Sequence, residues 1–151
     1  MKLLNKSGMR EILERKVLDQ KIPILGICVG MQILGLSSEE GSSNGLGFID
    51  GEVKKFPSSD LNNLPLPHMG WNNINFDKNI DIFYEVKRNP YFYFLHSYYF
   101  ECKKADNIIS YADYGKEFVC AVKKGNVYGV QFHPEKSHEN GIKVLRNFGT
   151  L

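Results

Sequence analysis

The pentapeptide Gly26-Ile27-Cys28-Val29-Gly30 sets a cysteine between glycines two residues before and two residues after it. That spacing has the form of a nucleophile elbow, a strand turning sharply into a helix with the nucleophile at the bend. Small residues are wanted on both sides because the two backbones nearly touch there. A thiol so placed stands clear of the sheet at a helix N-terminus, where the macrodipole favours the thiolate. The N–H of Val29 then points to where an oxyanion develops. A cysteine between glycines also serves as a small core residue, so the pattern needs a partner. His133-Pro134-Glu135 supplies one. A histidine takes the thiol proton and later returns it to the leaving group, while a carboxylate two residues on holds the ring in the useful tautomer. The tripeptide alone also suits a turn whose histidine and glutamate only satisfy hydrogen bonds. Together, in the order Cys, His, Glu, the two stretches read as nucleophilic catalysis.

The elements that must position these groups follow from periodicity. Met9, Ile12, Leu13, Val17 and Leu18 recur at helical spacing over Gly8 to Leu18, which predicts an amphipathic helix. Lys21 to Ile27 reads as a strand buried on both faces, and Val29 to Leu36 has helical length. Helix, strand and helix indicate an α/β layer. Ser37 to Gly47 is polar and glycine-rich, a surface loop. Candidate strands follow at Glu52 to Phe56, Trp71 to Phe76, Tyr91 to Phe100, Ile108 to Ala112, Phe118 to Lys123 and Val127 to Phe132. Reversals fall at Tyr114-Gly115-Lys116 and Lys124-Gly125-Asn126. His133 follows the last of these strands, where α/β proteins place functional groups. A final helix runs from about Ser137 or His138 to Phe148, with Ser137 as candidate cap. One α/β domain over residues 1–151 is the simplest organisation.

Composition limits the partners. The chain has 151 residues, 42% of them hydrophobic and 24% charged, with a formal net charge of +2. Length and apolar content suit one sizeable core. A near-neutral balance supplies no broad phosphate-binding surface, so nucleic acid is not suggested. The aromatic run from Tyr91 to Phe100 lacks the interleaved basic residues of a single-strand binder. No apolar run approaches the roughly 20 residues that span a bilayer, and the first residues lack a signal peptide's apolar stretch. Cys28, Cys102 and Cys120 match neither CxxC nor a zinc pattern. The default is a cytoplasmic protein with free thiols. His133 and His138 do not make a zinc-protease face, and His68 and His96 stand alone, so neither a metal nor another cofactor is expected.

Gly26-Ile27-Cys28-Val29-Gly30-Met31-Gln32 and Phe132-His133-Pro134-Glu135-Lys136-Ser137 resemble the two signatures of the class I, or triad-type, glutamine amidotransferases. Pro67-His68-Met69-Gly70-Trp71-Asn72 and His96-Ser97-Tyr98-Tyr99 narrow the resemblance to the glutaminase subunits of imidazole glycerol phosphate synthases. The four motifs fall in the family's order across nearly the whole chain. The resemblance implies an open mixed sheet flanked by helices, flavodoxin-like in fold. It implies hydrolysis of glutamine to glutamate and ammonia, with Cys28 as nucleophile, His133 as acid and base, and Glu135 orienting His133. Substrate binding would fall to Gln32, one helical turn after the nucleophile, and to Glu40, Ser97 and Tyr98. The resemblance also implies a (β/α)₈ barrel cyclase as heterodimer partner, which uses the ammonia in histidine biosynthesis. Trp71, Tyr93 and Lys136 match positions near that interface, although a core tryptophan and an ordinary surface lysine are the plain alternatives.

Family members carry further residues ahead of the segment matching Met1 to Arg10, including strands and a glycine-rich loop that donates the second oxyanion N–H. The expectation is therefore that these 151 residues are an N-terminally incomplete form. Losing one oxyanion donor typically costs a factor of about 10² to 10³ in rate. Two other functions remain open on the sequence: ammonia supply for amidination of a surface-polysaccharide sugar, and a non-catalytic binding subunit.

Overall fold

Short apolar and aromatic runs broken by Gly, Asn, Asp and Pro make the middle of this chain β-rich, and the helices gather at its ends. The computed structural model describes residues 1–76, 79–87 and 89–151. In chain order its elements are α1 (Lys2–Lys6), α2 (Met9–Glu14), β1 (Ile24–Ile27), α3 (Val29–Gln32), β2 (Ser37–Ser38), β3 (Gly51–Lys55), β4 (His68–Asn73), β5 (Asn75–Phe76), β6 (Tyr91–His96), β7 (Tyr98–Cys102), β8 (Ile108–Asp113), β9 (Glu117–Lys124), β10 (Val127–Val130) and α4 (His138–Phe148). The main sheet runs β1-β10-β9-β7-β3-β2, with β8 also on β9 and β5 on β8. Its β1–β10 and β2–β3 ladders are parallel and the others antiparallel. The expected mixed sheet with helices is what forms, and β4 and β6 make a separate antiparallel pair beside it.

Several boundaries differ from the sequence reading. The aromatic run splits at Ser97, so that β6 joins β4 while β7 joins β3. Alternation within β6 turns Phe92, Phe94 and His96 inward and leaves Tyr91 and Leu95 exposed. Burying each phenylalanine side chain contributes about 1.5–3 kcal/mol. Phe56, Phe92, Phe94, Phe118 and Phe132 form one core with Val144 of α4. Val17, Met31, Leu34, Phe100 and Val122 belong to a second.

The expected helix after Cys28 lasts a single turn, because α3 ends at Gln32. The expected strand buried on both faces is only partly covered: Gly26 is buried, but Ile24, Leu25 and Ile27 are not. Among the described strands β1 pairs only with β10, which explains that exposure. Val17 is the buried member of the first amphipathic stretch, while Met9, Ile12 and Leu18 remain largely exposed.

Candidate active site

β1 and β10 run parallel with Ile27 opposite Val130. Cys28 is the residue after β1 and His133 lies three beyond β10, so both leave the same end of adjacent strands. The Cys28 N–H donates to the Val130 carbonyl at 2.8 Å, continuing that ladder. The chain then turns at Cys28 with φ 52° and ψ −111°, a conformation that side chains other than glycine rarely adopt and that strained functional turns retain. Gly26 permits the bend. A Cβ there would lie 2.5 Å from the Gly30 carbonyl oxygen and 2.7 Å from the Met31 nitrogen. The matching requirement at Gly30 is absent, since a Cβ at that position meets nothing within 4 Å.

Cys28 rests as a thiol. Burial pushes its pKa up and prevails over the Val29 N–H and the Gln131 amide, which both pull it down, while the negative charges of Glu135 and Glu40 raise it further. Burial thus works against the thiolate expected at a helix N-terminus. A helix of four residues has little dipole to offer, and desolvation penalises the anion. The thiol points to the Leu95 carbonyl at 3.7 Å and accepts a contact from Gln131 Nε2 at 3.7 Å.

His133 is held from both sides. Its N–H donates to the Tyr93 carbonyl at 2.8 Å. The buried Ser137 hydroxyl donates to the His133 carbonyl at 2.6 Å and accepts the Tyr93 N–H at 3.0 Å. Ser137 precedes α4, yet its side chain does not cap that helix, because the hydroxyl is committed to this bridge. His133 Nδ1 lies 2.6 Å from Glu135 Oε1. A carboxylate accepts, so the proton sits on Nδ1 and Nε2 carries a free lone pair. Nε2 is buried with no hydrogen-bond partner among the described atoms, which leaves it available to a reacting group.

Cys28, Val29, Gln32, Glu40, Ser97 and Tyr98 line a single cavity of about 270 Å³, together with Pro67, Leu95 and His96. These are the positions the sequence assigned to the nucleophile, the oxyanion donor and the substrate. They come from the elbow, the loop after α3 and the break between β6 and β7. Trp71 and Tyr93 face each other across β4 and β6, with ring centroids 6.0 Å apart. Lys136 Nζ sits 5.5 Å over the Tyr93 ring. Trp71 is 47% exposed, which removes the core-tryptophan alternative, and its indole stacks on His138 at 5.0 Å.

Sequence reasoning passed over Gln131, which is fully buried yet touches the nucleophile. It also missed the pairing of His68 with His96 at 3.0 Å. The two histidines do not stand alone, because they are register partners on β4 and β6. Cys102 and Cys120 are free, and burial pushes the Cys120 thiol up to about 12. Among the described residues no group of three or more His, Cys, Asp or Glu side chains is placed to hold a metal ion.

A strained cysteine at a strand–helix elbow and a histidine–glutamate pair leave the same end of two adjacent parallel strands, an arrangement suited to nucleophilic cysteine chemistry. The chain belongs to the class-I glutamine amidotransferase family, whose profile matches residues 6–150. Within that family it is 51% identical to the imidazole glycerol phosphate synthase subunit HisH of Leptospira interrogans, over 100% of this chain and 74% of that protein. The HisH of Bdellovibrio bacteriovorus is 50% identical over the same shares, and HisH 2 of Methanococcus maripaludis is 48% identical over 96% of this chain and 71% of that protein. The fold is that of solved relatives. The crystal structure of a glutamine amidotransferase matches with a TM-score of 0.69 at 16% identity, covering 98% of this chain and 72% of that one. A glutamine amidotransferase from Thermotoga maritima matches with a TM-score of 0.62 at 18% identity, and there this chain covers 95% of itself but only 54% of the other.

Proposed function

We propose that this chain is the glutamine-hydrolysing subunit of an imidazole glycerol phosphate synthase, supplying ammonia to a (β/α)₈ barrel cyclase in histidine biosynthesis. The observation that carries the reading is the cavity that joins Cys28 to Val29, Gln32, Glu40, Ser97 and Tyr98. Its volume suits one small amino acid, and Glu40 offers the negative charge that a substrate ammonium group seeks. The half-exposed Trp71, with Tyr93 and Lys136 beside it, supports a protein partner on the neighbouring face. The HisH names of the relatives favour this reading over amidination of a polysaccharide sugar. The intact Cys28, His133 and Glu135 favour it over a non-catalytic subunit. No helix among the described residues is long and apolar enough to cross a membrane, and a reducing cytoplasm suits a chemistry that needs its thiol free.

The thiol turns from the Leu95 carbonyl toward His133 Nε2, which takes its proton as sulfur attacks the glutamine carboxamide carbon. Glu135 stabilises the resulting imidazolium through the Nδ1–H bond. The Val29 N–H receives the developing oxyanion. Collapse of the tetrahedral adduct breaks the C–N bond, and His133 protonates the departing ammonia. A water then attacks the thioester, its proton going to His133, and glutamate leaves as the thiol is restored. Because burial holds the thiol neutral at rest, proton transfer accompanies attack.

The test is a glutaminase assay of the chain with and without a cyclase subunit. Ammonia release stimulated by the cyclase and abolished by Cys28→Ala is the expected result. Binding to the cyclase without release would support a non-catalytic subunit, and neither binding nor release would refute the proposal.

A further inference from the structure

His68 and His96 are buried, 3% and 6% exposed, in a protein whose reaction as derived above uses neither. Buried imidazoles are retained at a cost in solvation unless their hydrogen bonds are satisfied, and here the bonds form a chain. Asn72 Nδ2 lies 3.4 Å from His68 Nε2, His68 Nδ1 lies 3.0 Å from His96 Nε2, and His96 Nδ1 lies 2.7 Å from the Tyr98 carbonyl oxygen. Both ends fix its direction. The carbonyl oxygen only accepts, so His96 Nδ1 carries a proton. At the outer end the amide orientation is set by two other bonds: Asn72 Oδ1 accepts the Asn73 N–H at 2.9 Å, and Nδ2 donates to the Asp113 carbonyl at 2.6 Å. Its second N–H therefore donates to His68 Nε2. Each ring is left as a neutral Nδ1–H tautomer, donating inward. Burial agrees, holding His68 down to about 4 and His96 to about 3.

The Tyr98 oxygen accepts a second bond, from Gln32 Nε2 at 3.2 Å. The same Nε2 donates to Gln131 Oε1 at 3.1 Å, which leaves Gln131 Nε2 facing the Cys28 sulfur at 3.7 Å. A flipped Gln131 would present its carbonyl oxygen, an acceptor, to the sulfur instead. We infer that His68 and His96 are positioning residues for the nucleophile: they aim the Tyr98 carbonyl, which orients Gln32, which in turn fixes Gln131 with its N–H toward Cys28. A donor on the sulfur favours the thiolate that attacks, so a chain beginning at Asn72, on the face of β4 that carries His68, sets the reactivity of the thiol.

The inference rests on the glutaminase reading for its biological meaning, but its test does not need glutamine. In the intact protein, ¹⁵N NMR of the imidazoles should show both His68 and His96 as neutral Nδ1–H tautomers near neutral pH. His68→Phe keeps the stacking of this ring on Tyr114 and Phe94 while removing the donor to His96. His68→Asn places an amide N–H where Nδ1 was. Alkylation of Cys28 by iodoacetamide, resolved from Cys102 and Cys120 by peptide mass, should slow about tenfold near neutral pH in His68→Phe, as for a rise of about one pKa unit, with its pH profile displaced upward. His68→Asn should restore the rate to within about twofold. A merely structural role leaves the pH profile of the thiol in place. An Nε2–H tautomer on either ring in the wild type, or a wild-type alkylation profile in folded His68→Phe, overturns the inference. Should His68→Phe fail to fold, the tautomers decide. A chain that hydrolyses no glutamine but passes these tests would refute the functional reading and leave this one standing.

Discussion

Acid should unfold this protein earlier than its carboxylates require, and the cause is the pair at the centre of the chain just described. The ordinary histidine pKa of 6.5 is lowered to about 4 in His68, by burial, and to about 3 in His96. In His96 burial dominates, the Tyr98 carbonyl opposes it, and the neighbouring His68 and His133 add to it. Below the unfolded value the unfolded chain binds protons that the folded chain refuses, so stability is fully present above about pH 6.5 and drains away as pH falls toward 4 and 3. Moving from about pH 7 to about pH 5 costs roughly 2 kcal/mol per ring, or about 4 kcal/mol for the pair. Set against a typical domain stability of about 5–15 kcal/mol, that loss is large. The carboxylates held low by lysine partners, Asp60 by Lys116 and Glu52 by Lys54, are lost only below the ordinary carboxylate range of about 4. The window above pH 5 therefore isolates the imidazoles. Urea unfolding followed through Trp71, the single tryptophan, measures the effect at each pH. His68→Phe removes one of the two rings and should shed about 2 kcal/mol of the fall. Equal pH dependence in the two proteins would refute the reasoning.

Further outcomes follow from the site. Gly26→Ala drives a methyl group against the Gly30 and Met31 backbone, and urea unfolding should register a loss of about 1–3 kcal/mol or more together with glutaminase activity. Gly30→Ala meets open space, so its stability should stay level or rise by up to about 1 kcal/mol. With its pKa raised by burial, the Cys28 thiol should alkylate along a pH profile whose midpoint lies above that of a small free thiol in the same buffer. Glu135→Gln loses the charge that holds the His133 proton on Nδ1, and kcat should fall about 10²-fold with KM little changed. Ser137→Ala leaves the His133 carbonyl and the Tyr93 N–H without the bridge they share. It should cost about 1–3 kcal/mol in thermal unfolding and lower kcat by displacing His133.

What could be read in the sequence was whatever depends on a few neighbouring residues. The elbow is local: Gly26 two before Cys28 creates the room, and the backbone takes the strained turn that the spacing predicts. The His133–Glu135 pair is local too, with its 2.6 Å bond spanning two positions. Strand alternation in β6 is local, which is why the aromatic run reads as core on one face. Two local expectations failed through features that are not local. Burial works against the thiolate at the helix, since α3 stops after one turn and Cys28 is desolvated among elements distant in sequence, its thiol meeting the Leu95 carbonyl at 3.7 Å. Ser137 did not cap α4, since its hydroxyl is claimed by Tyr93, forty-four positions away.

The polar chain behind the nucleophile is the extreme of that failure. Asn72, His68, His96, Tyr98, Gln32, Gln131 and Cys28 come from two sheets and a helix turn, and no spacing in the sequence connects them. Gln131 sits in the run Val127 to Phe132, whose periodicity marks it as an interior residue and nothing more. Yet a glutamine that is fully buried must find partners for both ends of its amide, and those it finds are Gln32, which follows the elbow by one turn, and the sulfur itself. Gln32 has to find an acceptor in turn, and the break at Ser97 frees the Tyr98 carbonyl to serve. That carbonyl then sits where the inward-facing His96 of β6 can reach it. Each buried polar group forces the next, so the nucleophile's surroundings are set by satisfaction of hydrogen bonds across the β4–β6 pair. A change at His68, which follows the cavity-lining Pro67 but does not itself line the cavity, therefore acts on the thiol through the bonded chain between them.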